Sequence, residues 1–367
     1  MATTAETELR KKRSAVARAR RADQHTALIK HCWYVAAKSA EISRTPIARE
    51  ILGTSVVMFR KEDGSAVALQ NRCAHRSFPL VNGKLEGDTL TCGYHGLKYD
   101  CSGQCIAIPM QEREPSGIAV KAYACREYGG FIWIWGDEKE TAREEMFPDM
   151  PWLVDPSWKA EIGFLEINSN YVHLHENLLD LSHLSFLHES SFGTPEYAKA
   201  PVELSIEGTD IQVWRQVECV LPDLYAKPLG WQNQRALRRS GSQFLTPGLH
   251  LNTGILSNLE IPEQDQQPQP TVKVLQLITP ATQHTTHYWY AQCRNFEIHD
   301  DEMGAFMIKA NGIAFAEDQF ALEEISNIQR RDSDPNYFEA DIATDKAGIA
   351  MRVLLKELAD KERKSSD

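Results

Sequence analysis

Two short loops each combine one cysteine with one histidine. The first contains Cys73-Ala-His75, the second contains Cys92-Gly-Tyr-His95, and residues 76–91 lie between them. Two thiolates and two imidazoles are the ligands of a [2Fe–2S] cluster in which histidines replace the cysteines on one iron. The intervening segment is long enough for a strand and a return turn, and its glycines favour turns. The spacing therefore predicts that the two loops hold one metal centre.

A tetrahedral zinc site is the alternative for the same four side chains. Zinc fingers, however, usually pair two cysteines in one loop and two histidines in the other, whereas each loop here mixes the two types. This difference favours iron and sulfur over zinc. The loop sequences Cys-Ala-His-Arg and Cys-Gly-Tyr-His-Gly resemble those of the Rieske oxygenases. They lack the extra pair of cysteines that cross-links the loops of respiratory Rieske domains, so an oxygenase-type cluster is the better match.

Residues 170–188 form the second informative stretch, because histidines recur within an otherwise apolar run. Apolar residues return every three to four positions, which predicts a buried amphipathic helix. His183 and His188 are five residues apart, about 140° around an ideal helix, so a shared metal requires a bend or a helix end near Ser185. Buried ionisable side chains cost free energy unless they are paired or bound to a metal. The stretch therefore indicates a second metal centre.

The pattern Asn177-x-x-Asp180-x-x-His183-x₄-His188 resembles the mononuclear-iron motif of Rieske non-haem iron oxygenases. In that family two histidines and one carboxylate bind Fe(II) and leave positions open for O₂ and substrate. The resemblance takes the carboxylate from a late helix, where Asp318 is the matching residue. Spacing alone leaves three other acids open: Glu317, Asp300 and Asp301.

Composition limits the class of protein. The chain has 367 residues, a formal net charge of −11 and 42% hydrophobic residues, which fits a globular protein of two domains. The negative charge argues against nucleic acid as the main partner. No apolar run reaches the roughly 18 residues of a membrane span. Because the N-terminus also lacks the apolar core of a signal peptide, a cytoplasmic location is expected.

The distribution of helix-like and strand-like segments along the chain predicts an α+β protein. Residues 1–30, without Gly or Pro, predict a basic helical arm for contact between subunits or for docking an acidic electron donor. Residues 31–145 contain short strand-like runs between turns and predict an all-β domain with the cluster loops. Residues 146–367 predict the catalytic domain. The resemblance implies a Rieske domain followed by a helix-grip domain, an antiparallel sheet with helices.

Four polar residues are candidates for substrate binding. Arg215 and Gln276 lie on the apolar registers of two alternating strands, and isolated polar groups of this kind orient ligands in apolar pockets. His250 and Asn252 are further candidates. For each residue taken alone, a strand end or a solvent-facing position is the commoner explanation. Helices are predicted over residues 303–328 and 346–364.

The resemblance implies the terminal oxygenase of a multi-component system. The cluster would receive single electrons from a separate ferredoxin or NAD(P)H reductase and pass them to the mononuclear iron, which activates O₂. No Gly-rich phosphate-binding loop follows a strand, in keeping with an external electron source. In the family a head-to-tail homotrimer brings one subunit's cluster near the next subunit's iron. Asp180 would then bridge His183 and a neighbour's His95, as a carboxylate that orients metal-bound imidazoles.

The substrate is expected to be a small aromatic molecule. The Asn177 motif and residues 279–290 most resemble aryl-ether O-demethylases of the vanillate and dicamba type. Such enzymes hydroxylate the ether methyl group to give a hemiacetal that releases formaldehyde. One alternative is a ring-hydroxylating dioxygenase for an aromatic acid or a diaryl ether, and Arg215 would suit a carboxylate. The other is a Rieske electron carrier, which needs only the cluster domain.

Overall fold

A computed structural model describes residues 19–109, 111–113, 115–189, 193–266, 268–332 and 339–366. Short strands build the first part of the chain, and one large sheet with helices builds the second part. Within these described residues, no helix combines the length and the apolar character needed to cross a membrane.

The first part consists of three antiparallel sheets. Its strands are β1 (Trp33–Lys38), β2 (Ile47–Ile51), β3 (Thr54–Arg60), β4 (Ala66–Gln70), β5 (Lys84–Glu86), β6 (Thr89–Thr91), β7 (Lys98–Tyr99), β8 (Cys105–Ala107), β9 (Ala122–Tyr123), β10 (Cys125–Tyr128) and β11 (Phe131–Trp135). The sheet orders are β1-β11-β10, β2-β3-β4-β9 and β5-β6-β7-β8. Both cysteine–histidine loops lead into the β5–β8 sheet, one before β5 and the other between β6 and β7.

The second part is organised on a seven-stranded antiparallel sheet. Its strands are β12 (Lys159–Ile167), β13 (Glu203–Glu207), β14 (Asp210–Val220), β15 (Arg235–Thr246), β16 (Leu249–Asn258), β17 (Thr271–Pro280) and β18 (Thr286–Arg294), in the order β12-β18-β17-β16-β15-β14-β13. The helices are α1 (Tyr171–Leu179), α2 (Pro195–Lys199), α3 (Asp223–Leu229), α4 (Asp301–Arg331) and α5 (Lys346–Ser366). The last two confirm the helices predicted over 303–328 and 346–364.

The long helix α4 begins where the Asp300 side chain accepts a 2.8 Å hydrogen bond from the Met303 backbone N–H. Asn311, Phe315 and Asp318 recur at helical spacing and are all buried, so they lie on one face of α4. That face therefore presents two polar side chains and one aromatic ring to the interior.

A core rich in tryptophan joins the two parts. Trp33 and Trp133 from the first part are in the same buried cluster as Leu249, Leu277 and Trp289 from the large sheet. Burial of this apolar surface away from water holds the β1-β11-β10 sheet against the large sheet.

The predicted basic helical arm falls largely on residues 1–18, outside the described residues. Its described remainder, residues 19–30, is made of turns and irregular segments instead of helix. The Asp23 backbone N–H donates to Thr26 Oγ1 at 2.9 Å, and the Thr26 backbone N–H donates to the Asp23 carbonyl at 3.0 Å. Local hydrogen bonds of this kind compete with a helix. Ala22 also exchanges hydrogen bonds with Arg352 of α5, which fixes the segment on the C-terminal helix.

Candidate active site

His183, His188 and Asp318 converge at one point, although Asp318 comes from α4 and the histidines follow α1. Their ligand atoms all lie within 4.8 Å of one another. Asp318 Oδ1 is 3.4 Å from His183 Nε2 and 3.2 Å from His188 Nε2. Two imidazole nitrogens and one carboxylate oxygen in this arrangement form a facial ligand set that suits Fe(II) and leaves coordination positions open.

The bend that the histidine spacing requires lies at Ser185, as predicted, because a short 3₁₀ turn, His183–Ser185, ends there between the two histidines. A second break precedes both histidines. Helix α1 ends at Leu179, and Asp180 has an extended backbone. Asp180 Oδ1 accepts hydrogen bonds from the Ser182 backbone N–H at 2.7 Å and from Ser182 Oγ at 2.5 Å. His183 Nδ1 donates to the Asp180 main-chain carbonyl. The expected contact with His183 is therefore made by the carbonyl oxygen, because the turn directs the Asp180 carboxylate to Ser182.

Two further side chains hold the ligands in place. Asn177 Nδ2 donates to Asp318 Oδ1 at 2.9 Å, and His188 Nδ1 lies 2.7 Å from Glu317 Oε2. Glu317 thus lies behind His188, whereas Asp318 lies between the two histidines. A carboxylate on the second nitrogen of a metal-binding imidazole fixes its orientation and raises its basicity.

The charges of this group support metal binding. Burial alone raises the pKa of Asp318, but hydrogen bonds from His183 and His188 outweigh burial and hold the pKa at about 2. Burial lowers the pKa of His188, and the interactions with Asp318 and Glu317 outweigh it, so the net shift is upward. Asp318 is therefore ionised at neutral pH, as a ligand to a cation must be.

The two cysteine–histidine loops share one backbone pattern. In each loop the cysteine N–H donates to the carbonyl five residues later, and the residue four positions later donates back to the cysteine carbonyl, at 2.8 to 3.0 Å. The residues at that fourth position, Ser77 and Gly96, have φ values of 57° and 74°. A Cβ on Gly96 would lie 2.9 Å from Pro109 Cγ. Both this close approach and the positive φ favour glycine at the position. The matched turns give Cys73 and Cys92 equivalent settings.

The four loop side chains divide into a buried pair and an exposed pair. Cys73 and Cys92 are buried, whereas His75 and His95 face solvent with ring centroids 4.6 Å apart. Tyr99 Oη lies 3.2 Å from Cys73 Sγ. Two buried sulfurs with two adjacent exposed imidazoles fit a [2Fe–2S] cluster that has thiolates on one iron and histidines on the other. The exposed imidazoles place one edge of such a cluster at the surface.

A cavity of about 670 Å³, including its open mouth, adjoins the triad. The large sheet forms its floor, and α1 and α4 contribute to its walls. Its apolar lining is Leu178, Leu181, Leu184, Val272, Val274 and Phe315. Its polar lining outside the triad is Asn177, Tyr225, Arg238, Ser240, Asn252, Thr253, Gln276 and Asn311. An apolar space with a few polar groups next to a metal site is the usual form of a small-molecule site.

Family comparisons agree with this arrangement. Residues 167–361 match the vanillate O-demethylase oxygenase C-terminal domain, and residues 32–124 match the Rieske [2Fe–2S] domain. The chain belongs to the Rieske non-haem iron oxygenases. As a terminal oxygenase, it uses a [2Fe–2S] cluster, mononuclear iron and O₂. The relatives that it matches are named as subunits or components of oxygenase systems.

Several named relatives are similar to this Rieske oxygenase over most of its length. The putative toluene-4-sulfonate monooxygenase iron-sulfur subunit TsaM2 of Comamonas testosteroni is 32% identical, over 81% of this chain and 87% of the relative. A vanillate O-demethylase oxygenase subunit of a Pseudomonas species is 30% identical, over 80% of this chain and 85% of the relative. A crystal structure of dicamba monooxygenase has a TM-score of 0.86 at 27% identity, over 92% of this chain and 99% of that one. These similarities confirm the expected fold class and oxygenase function.

The structure brings two of the four substrate candidates of this oxygenase to the cavity. Gln276 and Asn252 line it, and Gln276 Nε2 donates to Asn252 Oδ1 at 2.9 Å. Arg215 does not line it, because its guanidinium donates to the Tyr197 carbonyl at 2.8 Å. His250 is also outside, buried with its ring 4.7 Å from that of His175. Neither residue lines this cavity, because strand alternation identifies the face of a strand but not what covers it.

Arg238, Gly254 and Asn311 are among the cavity residues that sequence reasoning did not identify. Arg238 follows the same alternation in β15 that drew attention to Arg215 in β14, so the pattern could have suggested it. Gly254 and Asn311 carry no such signal, because a small residue in a strand and an amide in a helix are both common.

Proposed function

We propose that the enzyme removes the methyl group of an aryl methyl ether by oxidation. The observation that carries this proposal is the apolar cavity with His183, His188 and Asp318 at one end. Its walls suit an aromatic ring, and the triad lies where a substituent of that ring would end. The similarity to an oxygenase subunit named for vanillate O-demethylation supports the same reaction.

We assign the two metal centres to the residues that the sequence indicates. Cys73, His75, Cys92 and His95 are proposed to hold the cluster, and the triad is proposed to hold the iron. When bound, the iron supplies O₂ activation and the cluster supplies electrons. The division of the chain into an arm (1–30), a cluster domain (31–145) and a catalytic domain (146–367) is part of this proposal.

The protein's own residues position the reactants. Asn177 holds one oxygen of Asp318 and so keeps the triad carboxylate toward the histidines. Glu317 orients His188 from behind. Leu178 of α1, Leu181 and Leu184 after it, and Phe315 of α4 exclude water from the side of the cavity next to the triad. Exclusion of water strengthens the polar interactions at the reacting carbon and limits loss of reactive oxygen species.

We infer that a homotrimer is the working form. The exposed His75 and His95 share a surface with Tyr94, a residue that is 58% exposed. Asp180 lines a second cavity, on the other side of the metal ligands, with Glu176 and Arg352. An exposed cluster edge on one subunit and an open cavity beside the iron ligands on another support a contact in which Asp180 meets a neighbour's His95.

Asp180→Asn tests this contact. The amide oxygen of asparagine can still accept from Ser182, so we expect both metals and the fold to be retained. We expect product formed per electron consumed to fall, because the connection between the centres is weakened. Asp345→Asn, at another acid of the same cavity, is the matched control. Full coupled activity of Asp180→Asn would rule out the bridging role.

We also propose that a ferredoxin or an NAD(P)H reductase is the electron donor, and that the enzyme works in the cytoplasm. None of the eight cysteines, all of them among the described residues, forms a disulfide bond, which suits a reducing compartment.

Product analysis tests the proposed reaction. The reconstituted enzyme, with a surrogate reductase, is given methoxylated, phenoxylated and unsubstituted benzoates, and the products are identified by mass spectrometry. We expect formaldehyde and a phenol in equal amounts from a methoxylated substrate. A cis-diol, or ether cleavage without formaldehyde, would instead assign the enzyme to ring dioxygenation.

A further inference from the structure

The polar groups of the cavity floor lie on both sides of Gly254, a glycine with empty space above it. In the sheet, Gly254 of β16 pairs with Ser240 of β15. On one side of that row lies Arg238, two residues before Ser240. On the other side lie Asn252 and then Gln276, which donates to it. A Cβ on Gly254 would meet no atom within 4 Å, so the space between the cation and the two amides is open.

Arg238 is held rigidly at its end of the cavity. Only 3% of its surface is exposed, and its guanidinium carbon lies 5.1 Å from the ring centroids of both Tyr197 and Tyr225. Its Nε donates to Ser240 Oγ at 3.1 Å. Among the described residues that line the cavity, Arg238 is the one arginine or lysine, and Asp318 is the one carboxylate. A planar cation in such a setting attracts an anion strongly, because little water screens its charge.

Asn311 provides a second donor on the opposite wall. It is 5% exposed and lines the cavity, and its Nδ2 has no hydrogen-bond partner among the described residues. A buried amide donor without a partner costs free energy, which a ligand acceptor would recover. Tyr225, which contacts Arg238, packs on the cluster that contains Met307, one turn before Asn311. Both donors are therefore at the same end of the cavity.

The helix sets the separation between these donors and the triad. Asn311 precedes Asp318 by two turns on the same face of α4, which corresponds to about 10 Å along the helix axis. Phe315 lies between them and lines the cavity. This distance suits an aromatic ring with one substituent at the triad and another, on the opposite side of the ring, at the donors.

We propose that Arg238 and Asn311 bind an anionic group of the substrate, a carboxylate or a sulfonate, opposite the substituent that is oxidised. This inference rests on the proposed function and adds the substrate class to it. Arg238 contributes a buried positive charge, Asn311 contributes a neutral N–H donor, and the pair makes a para-substituted aromatic acid the preferred substrate.

Binding measurements on the metal-loaded enzyme test the proposal separately from turnover. The probes are 4-methoxybenzoate, 4-methoxybenzenesulfonate and the neutral 4-methoxybenzamide, with dissociation constants from calorimetry. The wild type should bind at least one of the two anions in preference to the amide. Arg238→Met should weaken binding of that anion about 10- to 100-fold, the range for a charge-assisted hydrogen bond, and leave the amide almost unaffected.

Arg215→Met is the matched control, because Arg215 is also 3% exposed and also lies over Tyr197, but does not line the cavity. It should retain the wild-type preference for anions. Asn311→Asp tests the second donor without touching the arginine, and it should weaken anion binding by placing a carboxylate at the same point. Iron content and circular dichroism identify any variant that fails to fold.

The outcomes separate the two proposals. Equal affinity of the wild type for anions and amide, or an unchanged preference in folded Arg238→Met and Asn311→Asp, would overturn the anion site even if O-demethylation is observed. A preference that Arg238→Met abolishes would support the site even if no probe releases formaldehyde, in which case the proposed reaction alone fails. The relative affinity for the benzoate and the sulfonate decides which acid the site prefers.

Discussion

Substitution by alanine is expected to have opposite effects on the free energy of unfolding at two neighbouring glycines, Gly254 and Gly241. Gly254 and Gly241 lie on neighbouring strands, but a Cβ on Gly241 would come within 2.5 Å of the Trp214 ring, whereas one on Gly254 meets nothing within 4 Å. Gly254→Ala should raise the free energy of unfolding by about 0.4–1 kcal/mol, because it removes freedom from the unfolded chain. Gly241→Ala should lower it by about 1–3 kcal/mol through overpacking. Urea denaturation measures both.

A larger side chain at the same glycine tests whether the cavity binds the substrate. The ring of Gly254→Phe would extend into the space between Arg238 and Asn252 and displace the aromatic ring of a substrate. The loss of that burial, about 1.5–3 kcal/mol, corresponds to roughly 10- to 150-fold in affinity. We expect kcat/KM for the accepted substrate to fall accordingly while the iron content stays the same. Unchanged kcat/KM in a folded, metal-loaded variant would refute the assignment of the cavity.

Three other predictions concern residues around the metal site. Glu317→Gln should weaken Fe(II) binding about 10- to 100-fold, because His188 loses a carboxylate that orients it; the exposed Glu324→Gln on the same helix is the control, and equal iron affinity would contradict the role. Fe(II) affinity should fall as the pH drops through the raised pKa of His188, because a proton then competes with the metal, and a pH series of iron titrations measures this. His250→Phe should leave KM unchanged and the free energy of unfolding equal or higher, because neither ring nitrogen has a hydrogen-bond partner among the described residues; a raised KM would return His250 to the substrate site.

The proposed metal ligands could be identified from the sequence because most of them lie close together along the chain. Cys73 and His75 are close in sequence, as are Cys92 and His95. Each pair is therefore recognisable as two of the four proposed ligands of the [2Fe–2S] cluster. The spacing of His183 and His188 also required a helix end between them, and the 3₁₀ turn that ends at Ser185 provides it. Strand alternation and helical periodicity likewise indicated the α+β fold.

The substrate residues were less predictable because they depend on tertiary packing. Arg215 and Arg238 lie on neighbouring strands with similar patterns, yet only Arg238 lines the cavity. The choice between Glu317 and Asp318 depends on the rotation of α4 against α1, which neither helix encodes alone. Gly254 contributes empty space to the cavity. That space exists only because other elements of the fold form the opposite wall, so the sequence around Gly254 does not reveal it.

Isotope labelling of the phenol product tests the central claim most directly. The enzyme is supplied with ¹⁸O₂ and with the methoxylated benzoate that it accepts, and the phenol is weighed by mass spectrometry. Oxidation of the methyl group leaves the ether oxygen on the ring and sends the inserted atom into formaldehyde, so we predict a phenol without ¹⁸O. A phenol that carries ¹⁸O, or a cis-diol that carries two labelled atoms, would show attack on the ring and contradict the account.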